Sequence, residues 1–235
     1  MYLYYITKKM DYINGNIIAV GCLFLSLHCT VDYSMIMYKE SKRWFVNHVI
    51  SNFFIVSITF EDMLRLLSCT GGCGDLVQKG GGFFPYYEEG RITPSEMIVG
   101  ITGALHLYHL LVFDNLRTID YMHHYLMLIV LAMSYLFQAA CYQSMFMFFL
   151  SGLPGLIDYG MLALEVDRKT EKKVNVYLNN YLRAPGIIFT MGLYWRDIRK
   201  VSGIISLIVG YGLLYWNATY FNLDVTRSYY SYISA

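Results

Sequence analysis

Long apolar runs alternate with short charged or glycine-rich segments along the whole chain, and they predict helices rather than strands. Most of these runs reach the length of about 20 residues that a helix needs to cross a bilayer. They predict helices at about 13–38, 44–67, 94–113, 119–139, 142–164, 174–195 and 201–220. The pattern therefore indicates an all-α, polytopic membrane bundle of six to seven transmembrane helices, in which the first helix could be peripheral.

The segments between these runs are predicted to be connections. Residues 165–173, EVDRKTEKK, are expected to form a solvated loop, and the Tyr-rich residues after 220 a polar tail. Trp44, at the start of the second helix, is expected to anchor that helix at the membrane interface. The numbers of Lys and Arg predicted on the two sides are nearly equal, so they do not predict an orientation.

Composition agrees with a membrane protein. Of the 235 residues, 56% are hydrophobic and only 15% are charged, whereas about 25% of residues are charged in an ordinary soluble domain. We expect one transmembrane domain over residues 1–235. The formal net charge of +1 provides no basic field for a nucleic-acid partner.

The long connection 69–93 is rich in glycine but lacks the pattern of a phosphate-binding loop. It is interpreted as a mobile connector, with a lid over a cavity as the alternative. Cys69 and Cys73 could form a disulfide there if this side of the membrane is oxidising. Cys22, Cys29 and Cys141 fall in apolar runs and are expected to be small core residues.

The richest chemistry lies between Ala104 and Leu128, which holds four of the six histidines. Asp120, His123 and His124 have the spacing of one helical face. Ionisable groups are costly in a bilayer, so such a group indicates a functional or tightly paired site. In an enzyme, Asp120 would orient an imidazole, and His123 or His124 would serve as general base or nucleophile for acyl transfer. The alternative is a polar pair that joins neighbouring helices.

His106 and His109 share a face of the preceding helix. A histidine-rich di-iron centre of the membrane-desaturase kind needs more than the six histidines present, so we expect no metal and no resident cofactor. A single ion held by three or four of these residues stays open.

Two proline-containing segments provide further candidates. Pro154 interrupts SGLPGLIDY and Asp158 follows one turn later, which indicates either a break that contacts a lipid head group or a tight helix crossing. Arg183, beside Pro185, is expected to bind an acidic head group or to pair with Asp158 or Asp120. Together with His106 and His109, the residues Pro154, Asp158 and Arg183 are the predicted lipid-binding positions.

The order H-x-Y-H, D-x-x-H-H, then S-G-L-P-G-x-I-D-Y resembles the TLC-domain superfamily. This superfamily includes ceramide synthases, translocating-chain-associating membrane proteins and small TLC-domain proteins of protists and algae, to which the last segment is most similar. The resemblance covers residues 40–220 and implies a barrel of about six helices around a lipid-accessible cavity. In ceramide synthases the histidine pair serves acyl transfer from acyl-CoA to a sphingoid base. That role would carry over to His123 and His124.

A later motif of ceramide synthases contains both Asp and His, whereas the corresponding helix here has Asp158 and no histidine. The prediction is therefore a lipid-binding or lipid-sensing membrane protein whose partner is a membrane lipid. One alternative is an accessory subunit bound to other proteins of a membrane complex. The other is an N-acyltransferase with acyl-CoA as co-substrate, and thus a role in lipid metabolism. The endoplasmic reticulum or another endomembrane is the favoured location, with the mitochondrial inner membrane as alternative.

Overall fold

The computed structural model of the protein describes residues 14–68, 94–136, 140–201 and 204–234, and this part of the chain contains helices and short turns but no strand. The all-α prediction is therefore confirmed. The helices are α1 Asn14–Lys39, α2 Arg43–Ser68, α3 Pro94–Val112, α4 Thr118–Leu136, α5 Ala140–Met147, α6 Leu153–Ala163, α7 Arg168–Leu178, α8 Ala184–Val201 and α9 Ile204–Ile233. The glycine-rich connection and the predicted pairing of Cys69 with Cys73 lie outside the described residues.

The predicted solvated loop at 165–173 is wrong, because α7 begins inside it at Arg168. Asp167 caps this helix by accepting a hydrogen bond from the backbone N–H of Thr170 at 2.9 Å. Glu171 and Asn175, one turn apart, are buried, whereas Lys173 is exposed. The segment is an amphipathic helix whose inner face is polar, so its charges conceal it from a search for apolar runs.

The predicted polar tail is also helical, since α9 continues to Ile233. Residues 221–235 contain no glycine or proline that would end a helix. The last helix packs beside α7, and its Asn222 side-chain amide donates to Oδ1 of Asn180, just beyond the end of α7, at 3.2 Å.

Each of the two proline-bearing runs contains a π turn two residues before its proline. Phe148–Gly152 joins α5 to α6 ahead of Pro154, and Asn179–Arg183 joins α7 to α8 ahead of Pro185. In each case the next backbone N–H bonds to a carbonyl five residues earlier. A proline removes one N–H from the helix, and the wider turn lets the chain continue. Each proline is thus accommodated by a local widening of a continuous helical segment.

Six helical segments form a closed ring, with neighbours in the order α2, α3, α4, α9, α7, α6 and back to α2. The first helix packs on the outside of this ring against α3 and α2, as its predicted peripheral position suggested. Cys22 and Cys29 are accordingly exposed thiols, and the expectation that they belong to the core is wrong.

The apolar core lies at the end of the ring where α5 packs against α2, α3 and α8. Its most deeply buried members include Ile55, Ile98, Ile101, Tyr142, Met145 and Ile187. This packing closes one end of the ring and leaves the opposite end, at the α3–α4 turn, to bear the site.

Two helical segments are long and apolar enough to cross a membrane, judged by length and composition. They are Ile17–Tyr38 and Tyr142–Ala163, each of 22 residues with a mean hydropathy of 1.5 and 1.4, respectively. The second of these runs through α5, the π turn and α6. The protein thus has membrane-compatible helices, and the larger number of predicted spans goes beyond this finding.

Candidate functional site

A cavity of about 840 Å³ occupies the ring, and α2, α3, α4, α6, α7 and α9 all contribute to its wall. Its exposed lining residues include Asp114, Asn115 and Arg117 of the α3–α4 turn, so the mouth lies at this end. The lining residues farther from the mouth include the apolar Ile55, Leu105, Met127, Leu150 and Ala218 and the polar Asn52, Thr102 and Ser151. The cavity is therefore lined by charged and polar groups near its mouth and by both apolar and polar side chains in its depth.

Six of the eight predicted site residues line this cavity: His106, Asp120, His123, His124, Asp158 and Arg183. His109 and Pro154 are buried but are not among the lining residues that the structure describes. The sequence motifs thus point to one common space although they lie on four different helices.

The carboxylate of Asp120 forms an ion pair with Arg117 at the mouth of the cavity. The guanidinium donates from Nε to Oδ2 at 2.9 Å and from Nη2 to Oδ1 at 3.0 Å. Because both carboxylate oxygens accept from Arg117, Asp120 is a charged rim residue. The sequence predicted instead that Asp120 would orient the imidazole of His123 or His124, as in a catalytic dyad.

Five of the six histidines form a continuous cluster of rings below the mouth. His48 stacks on His109 with ring centroids 4.6 Å apart, and His109 is 5.2 Å from His124. His124 is 4.9 Å from His106, which in turn lies 5.2 Å from His123. The sixth, His28, stands apart, with one ring nitrogen 2.9 Å from Asn47 Oδ1 and the other 3.0 Å from Ser51 Oγ.

The closest contact in this cluster joins two imidazoles of different helices. His106 Nδ1 lies 2.6 Å from His124 Nδ1, and both residues are buried. One ring must donate its proton to the other for such a contact to be favourable. His124 Nε2 and both ring nitrogens of His109 are buried without a hydrogen-bond partner among the described residues.

Trp44, predicted from the sequence as an interfacial anchor, packs towards the inside of the ring and belongs to the site. Its ring stacks on His109 at 3.9 Å, and the side chain lines the cavity. On the other side of the stack, His48 lies 4.0 Å from the ring of Tyr159. This aromatic column fixes the imidazoles by packing, which leaves the cavity-facing ring edges in a defined position.

His48 is the main functional candidate that sequence reasoning missed. The signal that would have found it is the polar stripe of α2, because Asn47, His48, Ser51 and Asn52 recur at helical spacing. All four residues are buried. The stripe lies within an otherwise apolar run and so has no motif of its own.

Asp158 and Arg183 also line the cavity. The guanidinium of Arg183 donates from Nη1 to Asn179 Oδ1 at 2.5 Å. The predicted pairing with Asp158 or Asp120, one of two roles expected for Arg183, is not among the hydrogen bonds of the described residues. Arg183 Nε and Asp158 Oδ1 are buried and lack a hydrogen-bond partner within the described ranges. Buried polar atoms are seldom left unpaired, so these two atoms are available for a ligand.

The SGLPG segment shapes the site at Gly155, the residue that follows its proline. Pro154 is buried, and Gly155 brings the α6 backbone so close to α2 that an added Cβ would lie 2.6 Å from Asn52 Nδ2. The segment therefore makes a tight helix crossing, which was one of its two predicted roles. It also places Ser151 and Gly155 in the cavity wall.

No family model, no curated protein and no solved structure matches this chain. The resemblance to the TLC-domain superfamily thus stays a prediction from three short motifs. What can be said of function depends on the geometry of the ring and its cavity.

Proposed function

We propose that the protein is a polytopic membrane protein that binds a membrane lipid in the central cavity. Its spans would be α1, α2, α3, α4, α9 and the two continuous segments α5–α6 and α7–α8. The polar part of the lipid would lie among the histidines, Asp158 and Arg183, and its apolar part in the deeper half. The amphipathic cavity is the observation that carries this proposal.

The membrane location is supported by the distribution of side chains around α2. On its outer face Phe53, Phe60 and Leu64 are 55%, 48% and 48% exposed. On its inner face His48 and Asn52 line the cavity and are only 7% and 2% exposed. This arrangement would be unfavourable in water, because the apolar side chains on the outer face would stay hydrated while the polar side chains on the inner face lose their hydration. In the hydrocarbon of a bilayer, the exposed apolar side chains of the outer face no longer carry a cost of hydration.

The same distribution extends around the ring. Large apolar side chains are exposed on α1, α3, α4 and α8 as well, where they include Leu23, Leu111, Ile129, Ile188 and Phe189. Exposed apolar surface of this extent is rare on monomeric soluble proteins. It supports contact of several helices with lipid, beyond the two segments that are long and apolar enough by themselves.

A lipid ligand is supported by the size of the cavity and by the apolar part of its wall. A volume of about 840 Å³ falls within the range of ligand pockets, about 300–1,000 Å³. The apolar wall around Ile55, Leu105 and Leu150 fits a hydrocarbon chain. Asp158 Oδ1 can accept and Arg183 Nε can donate a hydrogen bond, so the head group would carry both a hydroxyl or amine and an acceptor oxygen.

The test is native mass spectrometry of protein gently solubilised from membranes, with Arg183→Met compared with the wild type. Methionine keeps much of the aliphatic length but removes the buried donor. The matched control is Arg227→Met, because Arg227 is exposed on α9. We expect a lipid retained by the wild type and by Arg227→Met, with at least a tenfold smaller lipid-bound fraction in Arg183→Met.

Two results would contradict the proposal. One is equal lipid retention in all three proteins, which would place the lipid outside the cavity. The other is a lipid-free wild type accompanied by stoichiometric protein partners, which would support the alternative role of an accessory subunit in a membrane complex.

A further inference from the structure

We propose that His106, His123 and His124 bind one divalent transition-metal ion, with Zn²⁺ as the ion that the site fits best. The three residues come from two helices, yet one ligand nitrogen from each can be chosen so that all lie within 4.8 Å of one another. Nothing in the motifs required this meeting, since His123 and His124 are consecutive in α4 and His106 lies in α3.

The separation of the rings matches the geometry of a three-histidine site. The ring centroids are 5.2 Å apart for His106 and His123, 4.9 Å for His106 and His124, and 5.4 Å for His123 and His124. With Zn–N bonds of about 2.0–2.1 Å, each imidazole centroid lies about 3.2 Å from the metal, and tetrahedral angles then separate the centroids by about 5.2 Å. The observed triangle is almost equilateral and has this size.

Only a small adjustment of the rings would be required. His106 Nδ1 and His124 Nδ1 are 2.6 Å apart, whereas two nitrogens on a tetrahedral zinc ion are about 3.3 Å apart. A modest rotation of either ring opens this gap. The ion would replace the proton that the two rings otherwise share.

The surroundings of the site suit a catalytic type of metal site more than a closed structural one. His106, His123 and His124 all line the cavity, so the fourth coordination position would open on the space where a ligand enters. Neutral imidazole is a ligand that zinc, copper, iron and nickel all accept, and three imidazoles with one open position are a known arrangement for zinc. His109 and the stacked Trp44 pack beside His124, with ring centroids 5.2 and 5.8 Å from it, and restrict its motion.

The metal would give the cavity a Lewis acid directly above its apolar half. An oxygen of a head group, or a water molecule, could occupy the open position. The proposal stands apart from lipid binding, because it concerns only whether these three side chains hold an ion.

The experiment uses the full-length protein in detergent, purified with a tag free of histidine. Co²⁺ is titrated into metal-free protein and its visible d–d absorption is recorded, because tetrahedral Co²⁺ absorbs far more strongly than octahedral Co²⁺. Zn²⁺ competition then reports zinc affinity, and elemental analysis reports stoichiometry. We expect one ion per chain, a tetrahedral Co²⁺ spectrum and displacement of Co²⁺ by Zn²⁺.

The variants are His123→Gln and His106→Gln, with His28→Gln as the control. His28 is buried like His106, but it lies between Asn47 and Ser51 and is not among the residues that line the cavity. We expect at least a tenfold loss of Co²⁺ affinity in the two ligand variants and wild-type affinity in His28→Gln. Since His123 is only half-buried, its variant should fold even if His106→Gln does not.

The proposal is overturned if wild-type protein shows no tetrahedral Co²⁺ spectrum, or if His123→Gln binds Co²⁺ as tightly as the wild type. Retention of lipid by metal-free protein would leave lipid binding intact. Metal binding by a lipid-free protein would leave the metal site intact, so failure of either proposal can be recognised separately.

Discussion

Asp32 of α1 and Arg43 of α2 form a two-pronged ion pair, with Nε 2.6 Å from Oδ1 and Nη2 2.7 Å from Oδ2. The pair closes the corner between the two helices, and Arg43 reaches from there to the cavity wall. Its guanidinium also lies over the ring of Phe113 at 4.6 Å from the centroid. One cation thus joins the outer helix α1, the ring helix α2 and the α3–α4 turn at the mouth.

Arg43→Gln is therefore expected to destabilise the protein. The two side chains are only 18% and 7% exposed, so the change leaves a buried carboxylate with weaker partners. Loss of charged hydrogen bonds of this kind costs about 1.5–3 kcal/mol, which thermal unfolding in detergent would show as a lower melting temperature. Arg227→Gln, at an exposed position of α9, is the control and should leave the melting temperature unchanged. Equal melting temperatures for all three proteins would show that the pair adds nothing to stability.

Gly186, just after the second π turn, is expected not to tolerate alanine. An added Cβ at Gly186 would collide with the ring of Phe149, whereas one at Gly192 on the same helix would meet nothing within 4 Å. Overpacking of this kind costs about 1–3 kcal/mol, while alanine is favoured over glycine in a helix by up to about 1 kcal/mol. Chemical or thermal unfolding should thus show Gly186→Ala less stable and Gly192→Ala slightly more stable than the wild type. Two variants of the same stability would contradict the close packing of α8 on the first π turn.

The cap of α7 makes a small part of the stability depend on pH. Hydrogen bonds from Thr170 lower the pKa of the Asp167 carboxyl below its usual value. A lowered folded-state pKa means that the charge stabilises the protein above the unfolded pKa, and that this contribution is lost as the pH falls through the folded pKa. Asp167→Asn keeps a capping oxygen without the titration, and Asp167→Ala removes both.

We accordingly expect the difference in melting temperature between wild type and Asp167→Asn to shrink as the solution is acidified. Asp167→Ala should melt below Asp167→Asn at every pH. Because Asp167 is exposed, these shifts are small, and added salt should reduce the charge-dependent part. A difference between wild type and Asp167→Asn that grows on acidification would contradict this sign.

The deep half of the cavity can be tested with a side chain that fills it. Ser151 lines the cavity between Leu150 and Gly155, so Ser151→Leu should occupy space that the lipid chain requires. On the proposed function, native mass spectrometry should show a reduced lipid-bound fraction, with the longest chains reduced most. Ser57→Leu, at an exposed position of α2, should retain lipid as the wild type does. Unchanged retention in Ser151→Leu would argue that the apolar depth is not where the chain binds.

Local sequence was sufficient where one physical term dominates. Apolar runs predicted most of the helices, because both the inner packing and the outer surface of these helices favour apolar side chains. The prolines marked the places where the pattern of helical hydrogen bonds changes. Local sequence gave the wrong prediction around Glu171 and Asn175, because a helix with a polar inner face resembles a solvated loop as long as the cavity that it faces is unknown. It also failed at Asp120, because the partner of a carboxylate depends on the rotamer of Arg117 as much as on spacing.

The sequence by itself determined the all-α class, the approximate helix positions and the presence of ionisable groups inside apolar segments, since helix formation and hydrophobic burial are governed by periodicity and local propensity. Tertiary structure alone decided that six helices close into a ring, that His48 and Trp44 join the site, and that His106 meets His123 and His124. Those contacts join residues far apart in the chain, and their distances depend on how the helices cross, a geometry that no local pattern records.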